Sequence, residues 1–352
     1  MTALDTLPRP TGLQAPTLHY RKPVFLHGLW RCGSTFIWSR FRSAHQTYCY
    51  FEPLLEGLSR LTPERIERQG AAVASRNRHP ELERPYHAEF EPLIDKRGIP
   101  AYRRDFATRH FLLSADELHP ALKAYLDQLI HFSNQMMCTP VLGFNRTVLR
   151  QNWLSLNFSA TNIFIDRDPR DIWASYNECA SRDDYTFLTR WLLIVDTNRE
   201  REPFTWLADR LGLSKGRIPK LSESKARYRA VLDQLGPGDT YLLVFTVWLA
   251  SLLQALSSAD LILDVNRADT YAYRVWGMEQ IESLTGIAAD LNSMRAISAA
   301  CDTDPRAFQI VEEEVLTNFP LKGYASHINR ERATSCLRVL SRRKAELIAR
   351  LI

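Results

Sequence analysis

Short apolar runs alternate with amphipathic stretches along most of this chain, a pattern typical of strands that alternate with helices. The apolar runs that predict strands are 23–27, 47–51, 140–144, 161–166 and 261–265. Helical periodicity fills the intervals between them, at 35–43, 120–137, 147–157, 169–180 and 240–257. Because such strands pair in parallel through right-handed crossovers, the pattern predicts an α/β fold with a central parallel β-sheet flanked by helices.

Three segments depart from this alternation or need a separate interpretation. Residues 54–119 are rich in Arg, Glu, Pro and His, so they predict an insertion of short helices and loops over the carboxyl edge of the sheet. Residues 181–236 predict a mostly helical excursion, and residues 331–352 predict one amphipathic terminal helix. Residues 240–259 carry no charge and are about as long as a membrane span, but their hydroxyl side chains and the acidic residues beside them favour a buried helix.

The composition is that of a globular enzyme and argues against several other classes of protein. The 352 residues carry a net charge of +5 that is spread along the chain, and no basic block with interleaved aromatic residues suggests nucleic-acid binding. The 6 cysteines have no regular spacing, which argues against a zinc site or a disulfide framework and favours a reducing compartment. Because the chain up to Arg21 lacks an apolar signal core, we expect a cytoplasmic protein.

The segment 24–35 carries the strongest chemical signal. An apolar run enters a turn, and the turn and the helix start that follows contain Gly28, Arg31, Gly33, Ser34 and Thr35. A strand, a glycine-bearing loop and a helix in succession gather backbone N–H groups at the positive end of the helix dipole, and the arginine and the hydroxyls add donors for phosphate or sulfate oxygens. Nucleotide-triphosphate loops instead require Gly-Lys-Ser/Thr, and Ser34 stands where that lysine would be.

Residues 161–176 predict a second anion-binding segment. Ile163 to Ile165 indicate a buried strand, and Pro169 suits the first turn of a helix. Arg167 then lies at the carboxyl end of the strand, and Ser175 follows on the helix. Because ligands bind outside the carboxyl ends of parallel strands, the two segments together are suited to two anionic groups of one ligand. The alternative is that the charges of this segment form only a surface network.

Three segments in the expected order carry a family resemblance. They are Arg31-Cys32-Gly33-Ser34-Thr35-Phe36, Tyr50-Phe51-Glu52-Pro53-Leu54, and Arg167-Asp168-Pro169-Arg170-Asp171 through Ser175. The first resembles the 5′-phosphosulfate loop, and the last the 3′-phosphate segment, of sulfotransferases that use 3′-phosphoadenosine-5′-phosphosulfate (PAPS). The middle segment is similar to the Phe-Glu-Pro segment of the carbohydrate branch of that family.

The resemblance implies a P-loop-NTPase-like sulfotransferase fold with helical insertions, in a single domain over 1–352 of a bacterial-type soluble enzyme. The implied parts are a PAPS-binding core over 20–180 with the insertion 54–119, the helical excursion 181–236, and the remaining core with C-terminal helices over 237–352. The implied reaction transfers the sulfuryl group of PAPS to a hydroxyl of a carbohydrate or related acceptor. It releases 3′,5′-adenosine bisphosphate and uses no metal.

The resemblance also implies which residues bind the donor. The loop from Arg31 to Phe36 would bind the 5′-phosphosulfate, and Arg31 would stabilise the negative charge that develops on the leaving oxygen. Arg167 and Ser175 would bind the 3′-phosphate. Lys322-Gly323 resembles a late loop that closes over the nucleotide, with a solvated turn as the alternative.

Residues on the acceptor side are expected at the same edge of the sheet. Glu52 ends the second predicted strand and is our candidate for the base that removes the proton of the acceptor hydroxyl, while a capping or ion-pairing carboxylate is the alternative. His27 and His45 are rival bases because the pKa of histidine lies near neutrality. Arg146 and Arg150 follow the third predicted strand, where they either bind the acceptor or pair with acids.

Two other functions are compatible with an anion-binding loop. A nucleotide kinase or other P-loop phosphotransferase would require magnesium and ATP, and the missing lysine argues against it. A non-catalytic nucleotide-binding relative would keep the arginines and lose the base. The acceptor and the oligomeric state are left open by the sequence.

Overall fold

Five parallel strands form the centre of the fold, so the predicted α/β class is confirmed. The computed structural model describes residues 20–68, 80, 82–96, 98–180, 187–213, 221–296, 298, 304–320 and 330–351. The strands are β1 (Val24–Gly28), β2 (Thr47–Phe51), β3 (Thr139–Phe144), β4 (Thr161–Asp166) and β5 (Leu261–Asp264). Their order across the sheet is β2-β3-β1-β4-β5, with each neighbouring pair parallel. The carboxyl ends of all five strands therefore lie at one edge.

Helices connect the strands and cover the sheet. In chain order the structure describes α1 (Ser34–Arg42), α2 (Pro120–Gln135), α3 (Gln151–Asn157), α4 (Pro169–Ala180), α5 (Phe187–Thr197), α6 (Phe204–Arg210), α7 (Leu221–Leu232), α8 (Pro237–Ser258), α9 (Tyr271–Thr285), α10 (Pro305–Asn318), α11 (Arg330–Val339) and α12 (Arg342–Ala349). In the described part of the predicted insertion there are three short 3-10 helices, Glu56–Arg60, Ala88–Leu93 and Arg104–Ala107. It therefore has the short-helix character that its polar composition indicates.

The strands are buried on both faces, which explains their nearly continuous apolar sequences. Phe25 of β1 belongs to one hydrophobic cluster with Tyr50 and Leu142, whereas its neighbour Leu26 belongs to another with Ile163. Because successive side chains of a strand point to opposite faces, these two clusters lie on the two sides of the sheet. Polar side chains that can contact a ligand are therefore expected where the strands end.

Helix α8 is the charge-free segment whose sequence is compatible with either a membrane span or a buried helix. It is 22 residues long, and by length and composition it could cross a bilayer. In the fold, however, 94 % of its most apolar window is buried inside the protein, against α3, α4 and α10 among others. It begins with Pro237 in its first turn, where a missing N–H costs nothing, and here it packs as a core helix.

Two predicted helix boundaries differ from the structure for tertiary reasons. The helix predicted over 147–157 begins only at Gln151, because the Thr147 hydroxyl is hydrogen-bonded to the ring of His27, 2.7 Å away, and the Arg150 amide closes a turn onto the Thr147 carbonyl. The single terminal helix predicted over 331–352 is instead divided between α11 and α12. The break lies at Ser341, whose backbone N–H donates to the Asp264 carboxylate across 2.5 Å.

Candidate functional site

A cavity of about 990 Å³ runs along the edge where the strands end. The segment after each strand contributes to its wall: Arg31 after β1, Glu52 after β2, Asn145 and Arg146 after β3, Arg167 after β4 and Val265 after β5. Its wall also includes Trp30, Gly33, Ser34, Thr35, Phe36, Arg40, Leu55, Pro80, Ala174, Ser175, Glu178, Phe187, Arg190, Ser293, Met294, Arg295 and Ser298. The predicted anion loop, the second anion-binding segment and Glu52 therefore share one cavity.

The loop after β1 has the tight backbone that its glycines predict. A Cβ on Gly28 would lie 2.5 Å from the Cys32 sulfur and 3.2 Å from the Ile165 carbonyl oxygen, so a larger residue does not fit there. Gly33 has a φ of 92°, a conformation that favours glycine, and α1 begins at the next residue. The first amides of a helix have no partner within it; the Ser34 amide is directed to the Cys32 sulfur, and the Thr35 amide is suited to an anion in the cavity.

Arg31 and Ser175 contact each other across the two predicted anion-binding segments. The Arg31 Nε donates to the Ser175 hydroxyl over 3.0 Å, although the two residues are 144 positions apart. Both line the cavity, together with Arg167. Burial lowers the pKa of the Arg167 guanidinium, while Asp171 opposes that shift. The positive groups predicted for two separate anionic groups therefore form one continuous surface.

Glu52 follows β2, at one side of the sheet, whereas Val265 follows β5 at the other side. Several contacts fix the position of Glu52. Its φ of 44° is in the left-handed region, which costs a residue with a Cβ roughly 1–2 kcal/mol. Its amide donates to the Gly143 carbonyl over 2.8 Å. Its carboxylate accepts from the Asn145 Nδ2 over 2.8 Å and forms an ion pair with Arg146. Glu52 thus lines the cavity, and its carboxylate is ion-paired.

Glu56 holds two arginines of the cavity wall. Arg146 donates to its carboxylate over 2.9 Å, and Arg190 from α5 donates over 2.6 Å. Burial acts to raise the pKa of Glu56, but the two guanidinium groups outweigh it and lower the pKa to about 2. Both guanidinium carbons also lie over the ring of Trp30, at 5.1 and 5.8 Å from its centroid. Trp30 is accordingly covered by arginines and serves to position them.

The two histidines considered as rival bases do not line the cavity. His27 is fully buried between the Thr147 hydroxyl and the Asn162 side chain, and burial lowers its pKa to about 4. His45 is exposed just before β2 begins, at the amino edge of the sheet, whereas Glu52 follows the carboxyl end of the same strand. Their placement leaves Glu52 as the only one of our three candidate bases at the cavity.

Two further predicted residues, Arg150 and Cys32, do not line the cavity. Arg150 is fully buried, and its guanidinium donates to the backbone carbonyls of Arg146 and Phe106, so its placement favours a structural role. The Cys32 side chain is buried beneath the loop, and burial raises its pKa to about 11. Lys322-Gly323 lies outside the described residues.

The charges of the cavity wall favour an anionic ligand. In the part of the chain that the structure describes, two carboxylates line the cavity, those of Glu52 and Glu178, and so do six arginines: Arg31, Arg40, Arg146, Arg167, Arg190 and Arg295. Among the described residues, no group of three or more His, Cys, Asp or Glu side chains is arranged to hold a metal ion. Comparison with protein families, curated proteins and solved structures finds no match to this chain. The site is therefore interpreted from its own chemistry.

Several residues of the cavity were not identified from the sequence. Asn145 directly follows β3, at the edge where the carboxyl ends of the strands lie. Its position after a strand is the feature of the sequence that could have identified it. Arg190 lies within an amphipathic helix in the polar excursion, and its pairing with Glu56 spans 134 positions. Met294 and Arg295 lie in a segment with no periodic pattern, so nothing local distinguished them.

Proposed function

We propose that this protein is a sulfotransferase that moves the sulfuryl group of PAPS to a hydroxyl of a carbohydrate or related acceptor. The observation that carries the proposal is the cavity shared by the loop at Arg31, the pair Arg167 and Ser175, and the carboxylate of Glu52. A continuous cationic surface built from two segments, beside one carboxylate, matches a donor with two anionic groups and an acceptor that must lose a proton. The motif resemblance supports the same assignment.

The wall of the cavity fits the parts of such a donor. Arg31, Ser34 and Thr35, at the start of α1, would hold the 5′-phosphosulfate, and Arg167 with Ser175 would hold the 3′-phosphate. The aromatic and apolar side chains of Phe36, Val265 and Met294 provide surfaces on which an adenine ring can pack. When bound, the donor supplies the sulfuryl group and leaves as 3′,5′-adenosine bisphosphate.

The residues of the chain would act mainly by positioning groups and balancing charge. In the transfer, the bond between sulfur and the bridging oxygen breaks while a bond from sulfur to the acceptor oxygen forms. Arg31 would stabilise the negative charge on the departing oxygen, more in the transition state than in the ground state. Glu52 would accept the proton of the acceptor hydroxyl, so that atoms and charge balance.

The half of the cavity beyond the loop would receive the acceptor. It is lined by Glu52, Leu55, Arg146, Phe187 and Arg190, a mixture of apolar side chains and fixed hydrogen-bond donors. Such a surface is suited to a sugar, which presents hydroxyls at its rim and C–H groups on its faces. The Phe-Glu-Pro segment around Glu52 also favours a carbohydrate acceptor, because it resembles a segment of the carbohydrate branch of the family.

Calorimetric titration tests the proposal directly. We expect 3′,5′-adenosine bisphosphate to bind without magnesium, and to bind more tightly than ATP with or without magnesium. Tight binding of ATP that requires magnesium would instead identify a phosphotransferase. A radiolabelled PAPS assay over a panel of saccharides then distinguishes an enzyme from a non-catalytic nucleotide-binding protein, which would bind the bisphosphate and label no acceptor.

A further inference from the structure

Asn145 connects the anion loop to Glu52 by two hydrogen bonds. The Ser34 hydroxyl donates to the Asn145 Oδ1 over 2.8 Å, and the Asn145 Nδ2 donates to the Glu52 Oε1 over 2.8 Å. All three residues line the cavity, and the Asn145 side chain is buried. The chain of bonds therefore runs from the predicted donor site to the predicted base inside one wall.

The chemistry of the three groups fixes the direction of this chain. An ionised carboxylate only accepts hydrogen bonds, so the amide must turn its NH₂ group toward Glu52. The Oδ1 of Asn145 then faces Ser34 and requires a donor, which the hydroxyl supplies. A hydroxyl has a single proton, so Ser34 gives to Asn145 the same proton that an anion over the loop would accept.

We propose that Asn145 is a positioning residue that orients the Glu52 carboxylate and couples it to the state of Ser34. A bound anion is a stronger acceptor than an amide oxygen, so it draws the Ser34 proton away from Asn145. The hydrogen bond from Asn145 to Glu52 then changes when the donor binds. The two hydrogen bonds follow from the geometry alone, whereas their effect on catalysis rests on the proposed function.

The other groups around Glu52 leave this role to Asn145. Arg146 pairs with the second oxygen of the carboxylate, and it is itself held by Glu56, which also binds Arg190. His87 is close enough for Glu52 to influence its pKa, but burial lowers that pKa to about 4, so its ring is neutral above pH 5.5. Arg146 thus supplies the charge opposite Glu52, and Asn145 supplies the link to the loop.

Kinetic comparison of two substitutions tests the role. Asn145→Ala removes both bonds, and we expect kcat to fall about tenfold or more while the Kd for 3′,5′-adenosine bisphosphate changes by less than about threefold. Asn145→Asp keeps an acceptor for Ser34 but places a carboxylate beside that of Glu52. A proton taken up by the introduced carboxyl at acidic pH restores a hydrogen-bond donor toward Glu52.

The ratio of Asn145→Asp activity to wild-type activity is therefore expected to rise as the pH falls from 8 to 5.5, and the ratio for Asn145→Ala is not. The matched control is Asn152→Ala, because Asn152 also accepts from a serine hydroxyl, that of Ser257 at 2.8 Å, and does not line the cavity. Equal kcat for Asn145→Ala and Asn152→Ala, or two ratios with the same pH dependence, would overturn the proposal.

A second measurement does not depend on sulfuryl transfer. In ¹⁵N-edited NMR spectra of the free protein, the Asn145 side-chain NH₂ signal is identified by its absence from Asn145→Asp. We expect this signal to shift in both Ser34→Ala and Glu52→Gln, and the Asn152 signal to stay in place. No shift in either variant would disprove the chain of bonds, whereas shifts in a protein that labels no acceptor would retain the bonds and reject the proposed function.

Discussion

Arg167 donates a hydrogen bond from Nη1 to the backbone carbonyl of Arg31, over 2.8 Å. The bond joins the segment after β4 to the loop after β1, between residues 136 positions apart. Arg31 has a φ of 68°, and a donor fixed to its carbonyl stabilises that left-handed turn. Arg167 therefore presents charge to the cavity and also supports the loop, and its loss should affect the two parts of the predicted donor site unequally.

Arg167→Ala is expected to weaken binding of 3′,5′-adenosine bisphosphate by roughly 10- to 100-fold, the range for a lost charge-assisted hydrogen bond. Adenosine 5′-phosphosulfate lacks the 3′-phosphate, so its affinity should fall only by the smaller amount due to loosening of the loop. Calorimetric titration of both ligands measures the difference. Arg342→Ala is the control, because Arg342 is 91 % exposed and pairs with Glu346 on the surface. Equal weakening of both ligands would contradict a role at the 3′-phosphate.

Glu52→Gln should remove the proton acceptor while keeping the size of the side chain. We expect kcat for sulfuryl transfer to fall by roughly 10²- to 10⁴-fold, the usual contribution of a general base. The Kd for 3′,5′-adenosine bisphosphate should change little, because the predicted donor contacts lie elsewhere in the cavity. Rapid-quench kinetics with PAPS measures the chemical step. Unchanged turnover in a folded variant would reject Glu52 as the base.

The sheet and the anion loop could be predicted from sequence because their determinants are local. Gly28 and Gly33 mark a turn that only a small residue can make, and apolar runs mark each strand. Glu52 was located because it follows a strand, and all parallel strands end at one edge. The contacts that complete the site could not be predicted, since Arg190 meets Glu56 through the packing of α5 against a distant segment. The break at Ser341 likewise depends on the carboxylate of Asp264, which lies at the end of β5, 77 positions away.

Glu56→Gln tests the ion pairs that hold the arginines of the cavity wall. The pKa of Glu56 is about 2 in the fold, below its ordinary value of 4.5, so ionised Glu56 stabilises the protein above pH 4.5 and this contribution is lost as the pH falls toward 2. At pH 6 the wild type should be more stable than the variant by up to about 3 kcal/mol. Urea unfolding measures the difference in free energy of unfolding between wild type and variant at pH 6 and at pH 3. This difference should be smaller by about half at pH 3. An equal difference at both values would show that charge on Glu56 is not its source.

A fully buried lysine, Lys344, forms ion pairs with the ends of β4 and β5 beside the cavity. The Lys344 Nζ lies 2.5 Å from a carboxylate oxygen of Asp166 and 2.5 Å from one of Asp264. These aspartates are the last residues of β4 and β5, and Arg167 and Val265, which line the cavity, follow them directly. The ammonium group therefore connects α12 to the two strand ends that position the predicted 3′-phosphate region.

Lys344→Met would leave two buried carboxylates with no ammonium group between them, and we expect a loss of roughly 3–5 kcal/mol of stability near neutral pH. Burial already raises the pKa of Asp166 to about 6, and loss of Lys344 should raise it further. A carboxyl whose pKa is raised by folding stabilises the fold below its ordinary pKa, and that stability is lost as the pH rises through the folded value. The destabilisation should therefore be larger at pH 8 than at pH 5 in urea unfolding. Lys123→Met breaks an exposed pair with Asp127 and a cation–π contact with the Phe158 ring, and it should cost less than about 2 kcal/mol, by the same amount at both pH values. The same loss for Lys344→Met at pH 5 and pH 8 would mean that lost packing, rather than the uncompensated carboxylates, destabilises the variant.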